Sequence, residues 1–216
     1  MVKNTKKFVI RLYKKNYLKF FFYFDKILMG CDVMKTLFID THSELLTVGV
    51  LIEDKLNKKE VESYNSHSVL LLPLLETILK EENIEIEDLD RIIVVNGPGS
   101  FTGIRIGLTV AKTIGYAKKI PVYPISSLKA YLVSTDTEED KMAVIEDNKG
   151  YYICVYDKDN NEKLEEQYVD EIDEYNYNVV PEILDIHKIC EYMSAFEPIK
   201  INALKANYVK KIEVEK

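Results

Sequence analysis

Between residues 37 and 125 the apolar positions fall into two kinds of run, and their spacing separates strands from helices. Leu37–Asp40 and Leu45–Ile52 are short, rich in aliphatic and β-branched residues, and joined by the polar Thr41-His42-Ser43-Glu44, which predicts two strands around a tight turn. Glu60–Tyr64 predicts a third, more polar strand. Residues 67–82 carry a helical pattern behind Ser66, a helix-capping residue type. Ile92-Ile93-Val94-Val95 is continuously apolar, as in a strand covered on both faces. A glycine-rich turn follows, then a helix over about 101–118 and a strand at 120–123. The order β-β-β-α-β-α-β, a three-stranded meander followed by crossover units, predicts an α/β fold of the ribonuclease H-like or actin-like type, a mixed sheet flanked by helices.

The pattern breaks at Val133–Asp140, a polar, acidic stretch. It predicts a domain over 34–134 and a small, abbreviated second domain with a tail over 135–216. There, 142–146 and 151–155 predict a hairpin around Asn148-Lys149-Gly150, and 181–193 a helix. The segment 157–178 is acidic with weak periodicity. About 80 residues is little for an independent core, so this part is expected to lean on the first.

Charge is distributed unevenly. Residues 1–33 hold eight Lys/Arg against Asp25 and Asp32, a net +6, so residues 34–216 carry −13 of a total of −7. Leu28-Met29-Gly30-Cys31 has the form of a lipoprotein signal box, but Lys19 and Asp25-Lys26 interrupt the apolar run such a signal requires. They also leave it too short to span a bilayer. Met34 opens a clean strand, so the extension reads best as a misassigned start, ahead of a soluble or interfacial tail; no membrane contact is expected for 34–216. The acidic body is unsuited to holding a phosphate backbone by itself. The three cysteines include no C-x-x-C pair and the three histidines no H-x-x-x-H pair, so no metal site is expected.

Two helices stand out. In the second, Gly103, Gly107, Ala111 and Gly115 recur every four residues and form a ridge of small side chains. Each glycine costs about 0.8–1 kcal/mol relative to alanine inside a helix, so close approach of another backbone is expected along that ridge. In the first, Val69, Leu70, Leu71, Leu72, Leu74, Leu75, Ile78 and Leu79 surround most of the circumference, more than one sheet face needs. The expectation is a partner interface formed by Val69, Leu70, Leu71, Leu74, Leu75 and Ile78 with Gly103, Gly107, Ala111 and Gly115. The alternative neighbour for the glycine ridge is the protein's own sheet or first helix. Pro73 is expected to kink the first helix or shape its contact.

The turn Asn96-Gly97-Pro98-Gly99-Ser100-Phe101-Thr102-Gly103 invites a phosphate-loop reading. Its spacing fits neither the dinucleotide fingerprint nor a Walker loop, and a strand-to-helix turn capped by Ser100 or Thr102 explains it equally well.

These residues resemble the bacterial TsaB (YeaZ) family. The likeness is carried by Phe38-Ile39-Asp40-Thr41, by His67-Ser68 with Leu71-Leu72-Pro73, by the run from Asn96 to Gly107 with Ala111-Lys112 after it, and by Pro121-Val122 through Ser126-Ser127-Leu128. It covers 34–134 well and thins afterwards to Asp147–Gly150 and Tyr208-Val209-Lys210. Where the family has Glu after His-Ser, this chain has Val69. The resemblance implies an actin-like (ASKHA) fold without catalytic competence or cofactor of its own. It implies pairing with a larger TsaD-like catalytic subunit and a TsaE-like ATPase that together install threonylcarbamoyl on N6 of adenosine 37 in tRNAs reading ANN codons. Contact with tRNA would be indirect, location cytoplasmic, and homodimerisation available to the chain alone. The catalytic paralogue carries a His-x-x-x-His metal pair where this chain has Ser127 and Tyr131, poor ligands for a catalytic metal.

Two other readings compete. An actin-like ATPase or small kinase would use a cleft of Asp40, Thr41, Gly97, Gly99, Ser100 and Asp147, with Mg²⁺ held through water and phosphate on the turn. A glycoprotease-like peptidase would need Ser100, His67 and Asp40 to assemble. His67 is expected to be a hydrogen-bonded buried histidine rather than a ligand, and Arg105 either a partner contact or half of an ion pair.

Overall fold

Strand β1 (Lys35–Asp40) pairs antiparallel with β2 (Leu45–Ile52), which pairs antiparallel with β3 (Lys55–Glu62). On the other side β1 runs parallel to β4 (Arg91–Val95), and β4 parallel to β5 (Val122–Ile125), giving the order β3-β2-β1-β4-β5. Helix α1 (His67–Glu81) links β3 to β4, α2 (Phe101–Lys118) links β4 to β5, and α3 (Ser127–Ser134) follows β5. A second sheet, ordered β8-β7-β6-β9, is built from β6 (Lys141–Asp147), β7 (Gly150–Tyr156), β8 (Glu162–Val169) and β9 (Asn178–Val179). Helix α4 (Ile186–Met193) comes last.

This computed structural model describes residues 33–64 and 66–209. The start-site reading of the basic aromatic extension falls on residues 1–32, outside the described residues. From Met34 onward the described chain forms one compact unit.

The alternation along the central strands divides the interior in two. Leu37, Ile39, Val48, Val50, Ile92 and Val94 face a core with Leu71, Leu75, Ile78, Ile104, Leu108 and Ala111, so α1 and α2 cover that side. Phe38, Ile93 and Val95 point the other way, into a core with Leu128, Tyr131, Ala143, Cys154, Tyr156 and Ile189. Both faces are therefore dry along Leu37–Ile39 of β1 and Ile92–Val95 of β4, which is why those runs are continuously apolar rather than alternating. The second core takes side chains from both sheets and from α3 and α4.

Several elements differ from the sequence pattern. The third strand begins at Lys55, not 60, since the hairpin turns at Glu53 with φ of 53° and then pairs in register from Ile52↔Lys55 to Leu45↔Glu62. Its lysines read as loop, but charge is how an edge strand avoids further pairing; Lys55 and Lys59 bind Glu82 and Glu81 at the end of α1, both at 2.7 Å. Strand β8 lies in the acidic stretch that showed weak periodicity. The last helix starts at Ile186 rather than 181, where the Asp185 carboxylate accepts from Lys188 N at 3.1 Å. Ser66 sits at the start of α1 but its side chain makes no capping bond. The α1 terminus is tied instead by His67, whose Nε2 lies 2.8 Å from the Ser43 carbonyl and 2.9 Å from Ser63 Oγ.

Candidate functional site

The carboxyl end of β1 meets the glycine-rich turn after β4. Gly97 and Gly99 adopt φ of 99° and 145°, conformations that favour glycine, and Ser100 N donates to the His42 carbonyl at 2.7 Å. Ser100 Oγ then caps α2 by accepting from Gly103 N at 3.2 Å, as one of the two predicted caps.

Asp40 is fully engaged at this junction. Its carboxylate accepts from His42 N at 3.0 Å and lies 2.7 Å from His42 Nδ1, while His42 Nε2 lies 2.7 Å from Tyr131 Oη. All three groups are buried. Burial opposes the charged imidazole, but the charge and hydrogen bond of Asp40, with a smaller contribution from Glu182, outweigh it and raise the His42 pKa. Burial, with the Asp40 charge, pushes the Tyr131 hydroxyl far up, so it stays neutral. Thr41 turns away from the cleft and donates to the Gly103 carbonyl at 2.8 Å.

The residues of the expected nucleotide cleft therefore separate. Gly99, Ser100 and Asp147 line one broad cleft of about 1920 Å³ together with His42. Asp40 and Thr41 are buried, and their side-chain oxygens are committed inside the protein. Gly97 is buried, where a Cβ would strike Ile104. The cleft wall carries Glu44, Glu146, Asp147, Glu166, Asp170 and Glu182 against Arg105 and Lys149, a negative potential that repels phosphate.

The metal implied by the catalytic side of the family does not fit the corresponding residues. Ser127 Oγ donates to the Pro98 carbonyl at 2.6 Å and Tyr131 Oη is held by His42. Both are buried, neutral hydroxyls with their bonds spent internally, not the imidazoles or carboxylates that bind catalytic metals. Nor do Ser100, His67 and Asp40 assemble as a peptidase set, since Asp40 binds His42 and His67 binds Ser63 and Ser43.

The expected interface needs correction in seven of its ten members. Gly103, Gly107, Ala111 and Gly115 are buried inside the chain. A Cβ at Gly103 would collide with the Thr41 carbonyl and one at Gly107 with Thr41 Oγ1, while Gly115 is filled by Val122 and Ile201. The close neighbour of the glycine ridge is thus the protein's own β1 end and β5. Leu71, Leu75 and Ile78 are likewise buried against the sheet. What remains on the outside is Val69, 70% exposed, and Leu72, 50% exposed, on α1. Leu70 and Leu74 on α1, and Ile106, Val110 and Ile114 on α2, are half-buried in rows at four-residue spacing. Phe101 is 57% exposed at the start of α2. Pro73 lies within α1, which continues through it.

Among the described residues Arg105 has no ion-pair partner. Its guanidinium stacks 3.7 Å above the Phe101 ring and donates to Tyr208 Oη at 3.0 and 3.2 Å. This contact, like the Asp40–His42–Tyr131 chain, was not legible as a pair of distant residues. The Asp40-x-His42 spacing at a strand end was the one local signal, since residues two apart on extended chain share a side. No helix among the described residues is long and apolar enough to cross a membrane.

Residues 59–210 match the family described as TsaD: tRNA N6-adenosine threonylcarbamoyltransferase. Over 97 residues the chain is 37% identical to the tRNA threonylcarbamoyladenosine biosynthesis protein TsaB of Bacillus subtilis, covering 44% of this chain and 42% of that one. Over 92 residues it is 31% identical to the TsaB protein of Haemophilus influenzae, covering 43% and 39%. The matched stretch spans less than half the length of these relatives. The structure superposes on YeaZ from Pseudomonas aeruginosa with a TM-score of 0.70 at 20% identity, covering 82% of this chain and 100% of that one. That likeness is one of fold, the actin-like α/β fold expected from the strand order.

Proposed function

Because this chain belongs to the tRNA N6-adenosine threonylcarbamoyltransferase family, on its TsaB (YeaZ) side, we propose that it is a non-catalytic scaffold in threonylcarbamoyladenosine formation on tRNA. In this reading it supports a TsaD-like subunit that transfers threonylcarbamoyl to N6 of adenosine 37 in tRNAs reading ANN codons. A TsaE-like ATPase joins the assembly, which works in the cytoplasm. The observation that carries the proposal is the outer side of α1 and α2, where Val69 and Leu72 are exposed and Leu70, Leu74, Ile106, Val110 and Ile114 are only partly buried by the chain's own fold. Apolar side chains left to solvent on neighbouring helices mark a contact with another chain. Alone, the same face supports self-association. Its corrected members are the outward residues, with the glycine ridge setting helix position from beneath.

Two features support the absence of chemistry on this chain. The positions that correspond to the metal pair are Ser127 and Tyr131, both hydrogen-bonded internally. The cleft beside the glycine-rich turn is acidic, so phosphate and tRNA are left to other subunits.

Depleting the protein in its host and measuring the threonylcarbamoyl nucleoside in tRNA hydrolysates by mass spectrometry tests the reading. A fall of the modified nucleoside, restored by the wild-type chain but not by Val69→Glu/Leu72→Glu, is expected. An unchanged nucleoside level on depletion would reject it.

A further inference from the structure

We propose that the crevice at the carboxyl ends of β4 and β5 binds an alkylammonium group. It has a volume of about 250 Å³, and its charged lining is Glu166 and Lys129, beside the polar Asn96, Ser126 and Asn207 and the rings of Tyr192 and Phe196. Crevices outside the carboxyl ends of parallel strands are where open α/β sheets place ligands. Glu166 of β8 and Asn207 of the segment after Leu204 also line this one.

The crevice is organised around one carboxylate. Glu166, on β8, accepts from Ser126 Oγ at the start of α3 and from Asn207 Nδ2 in the C-terminal segment, one donor on each oxygen. Both donors are neutral, so they fix the carboxylate without cancelling its charge. Lys129, the cation in the lining, is already paired with Glu162 at 2.7 Å. The local set is thus one positive and two negative groups, an excess of a single negative charge. A carboxylate offers about four lone-pair sites, so each oxygen of Glu166 keeps one for a further donor.

The same crevice carries two aromatic rings. The rings of Tyr192 and Phe196 lie 5.0 Å apart at 47°, and Tyr192 Oη is bonded to Tyr156 Oη at 3.1 Å, which spends the polar end of Tyr192 on its own chain. Ile125 and Met193 add apolar lining. A held carboxylate that shares one crevice with aromatic rings and apolar side chains recognises a cation on a hydrocarbon stem. It disfavours anions by charge, and it offers too few oxygen ligands for a calcium or magnesium cage. The ammonium can arrive on a free small amine or on a lysine side chain of another protein; the chemistry is the same.

Titration of the full-length chain by NMR with n-butylammonium chloride, Nα-acetyl-lysine methylamide and 1-butanol tests the site. Both ammonium probes are expected to give saturable shifts of the Tyr192 and Phe196 ring signals, and 1-butanol none. Glu166→Gln should weaken binding at least about tenfold, as loss of a charge-assisted bond. Phe196→Leu should weaken it about threefold and Phe196→Tyr should retain it, as loss and retention of a cation–π face require. Phe196 is half exposed, so this second pair stands even if Glu166→Gln impairs folding. Tighter binding of the lysine derivative points to a protein side chain, and tighter binding of butylammonium to a free amine. Equal shifts with 1-butanol, no saturable shift with either ammonium, or binding indifferent to both Glu166→Gln and Phe196→Leu would overturn the proposal.

Discussion

His42 Nε2 lies 2.7 Å from Tyr131 Oη, a bond that joins the turn after β1 to α3 across the second core. Its other nitrogen is held by Asp40 at 2.7 Å, so one imidazole spans the strand end and the helix. The two acidic or hydroxyl groups that would matter most for chemistry at this place are thereby turned into a structural tie.

Stability should depend on pH through this tie. The His42 pKa is raised in the folded protein, so the tie's contribution is complete below the ordinary histidine value of about 6.5 and is lost as pH rises through the folded value. His42→Gln should cost about 1–3 kcal/mol near pH 6. The difference from wild type should shrink toward pH 9. Urea unfolding of both proteins across that range measures it, and a gap that widens with pH would contradict the assignment.

Gly107→Leu should lower the stability of the isolated chain. A Cβ there meets Thr41 Oγ1, itself bonded to the Gly103 carbonyl at 2.8 Å, so the enlarged side chain forces α2 off the end of β1. Overpacking of this kind costs about 1–3 kcal/mol. Thermal unfolding should show the loss without any partner present, which separates this residue from surface positions that touch only another chain.

The fate of the glycine ridge explains how far the sequence could be read. Four-residue spacing of Gly103, Gly107, Ala111 and Gly115 announced a close neighbour but not which; at Gly103 it is the Thr41 backbone carbonyl, at Gly107 the Thr41 hydroxyl and at Gly115 the Val122 side chain. The central strands were legible because both faces of β1 and β4 are dry. Strand β8 was not, since only Leu164 interrupts its charged first half and pairing with β7, not burial, defines it. Helix α1 announced too much. Its leucines surround the cylinder, and only the structure separates Leu71, Leu75 and Ile78 facing the sheet from Val69 and Leu72 facing out. Contacts such as Arg105 with Tyr208 join residues 103 apart in sequence, and no local pattern encodes them.

That last contact clasps the C-terminal segment. Asn207 N donates to the Asn96 carbonyl at 2.7 Å, Asn96 Nδ2 to the Lys205 carbonyl at 3.2 Å, and Lys112 Nζ to the Leu204 carbonyl at 3.3 Å. Arg105→Ala should remove the stack and the Tyr208 bonds, costing about 1 kcal/mol. Limited proteolysis should then cut after Leu204 faster than in wild type, while the amide exchange of β1 and β4 stays unchanged. Arg105→Lys should rescue this only in part, because lysine lacks the planar fork.

Titration calorimetry with Mg-ATP should give no binding of defined stoichiometry. The phosphate would approach Gly99 and Ser100 under a wall that holds six carboxylates and two cations, and the β1 carboxylate that would be needed to position a metal is bonded to His42. Freeing that carboxylate in His42→Ala leaves the wall charge intact, so the variant should remain without affinity. Adding Glu146→Lys and Asp170→Lys to it shifts the wall by four charges toward positive. If electrostatics rather than shape excludes phosphate, this triple variant should show weak heat that falls as salt is raised. A tight, stoichiometric signal from the wild-type chain would mean that the acidic wall does not govern the cleft.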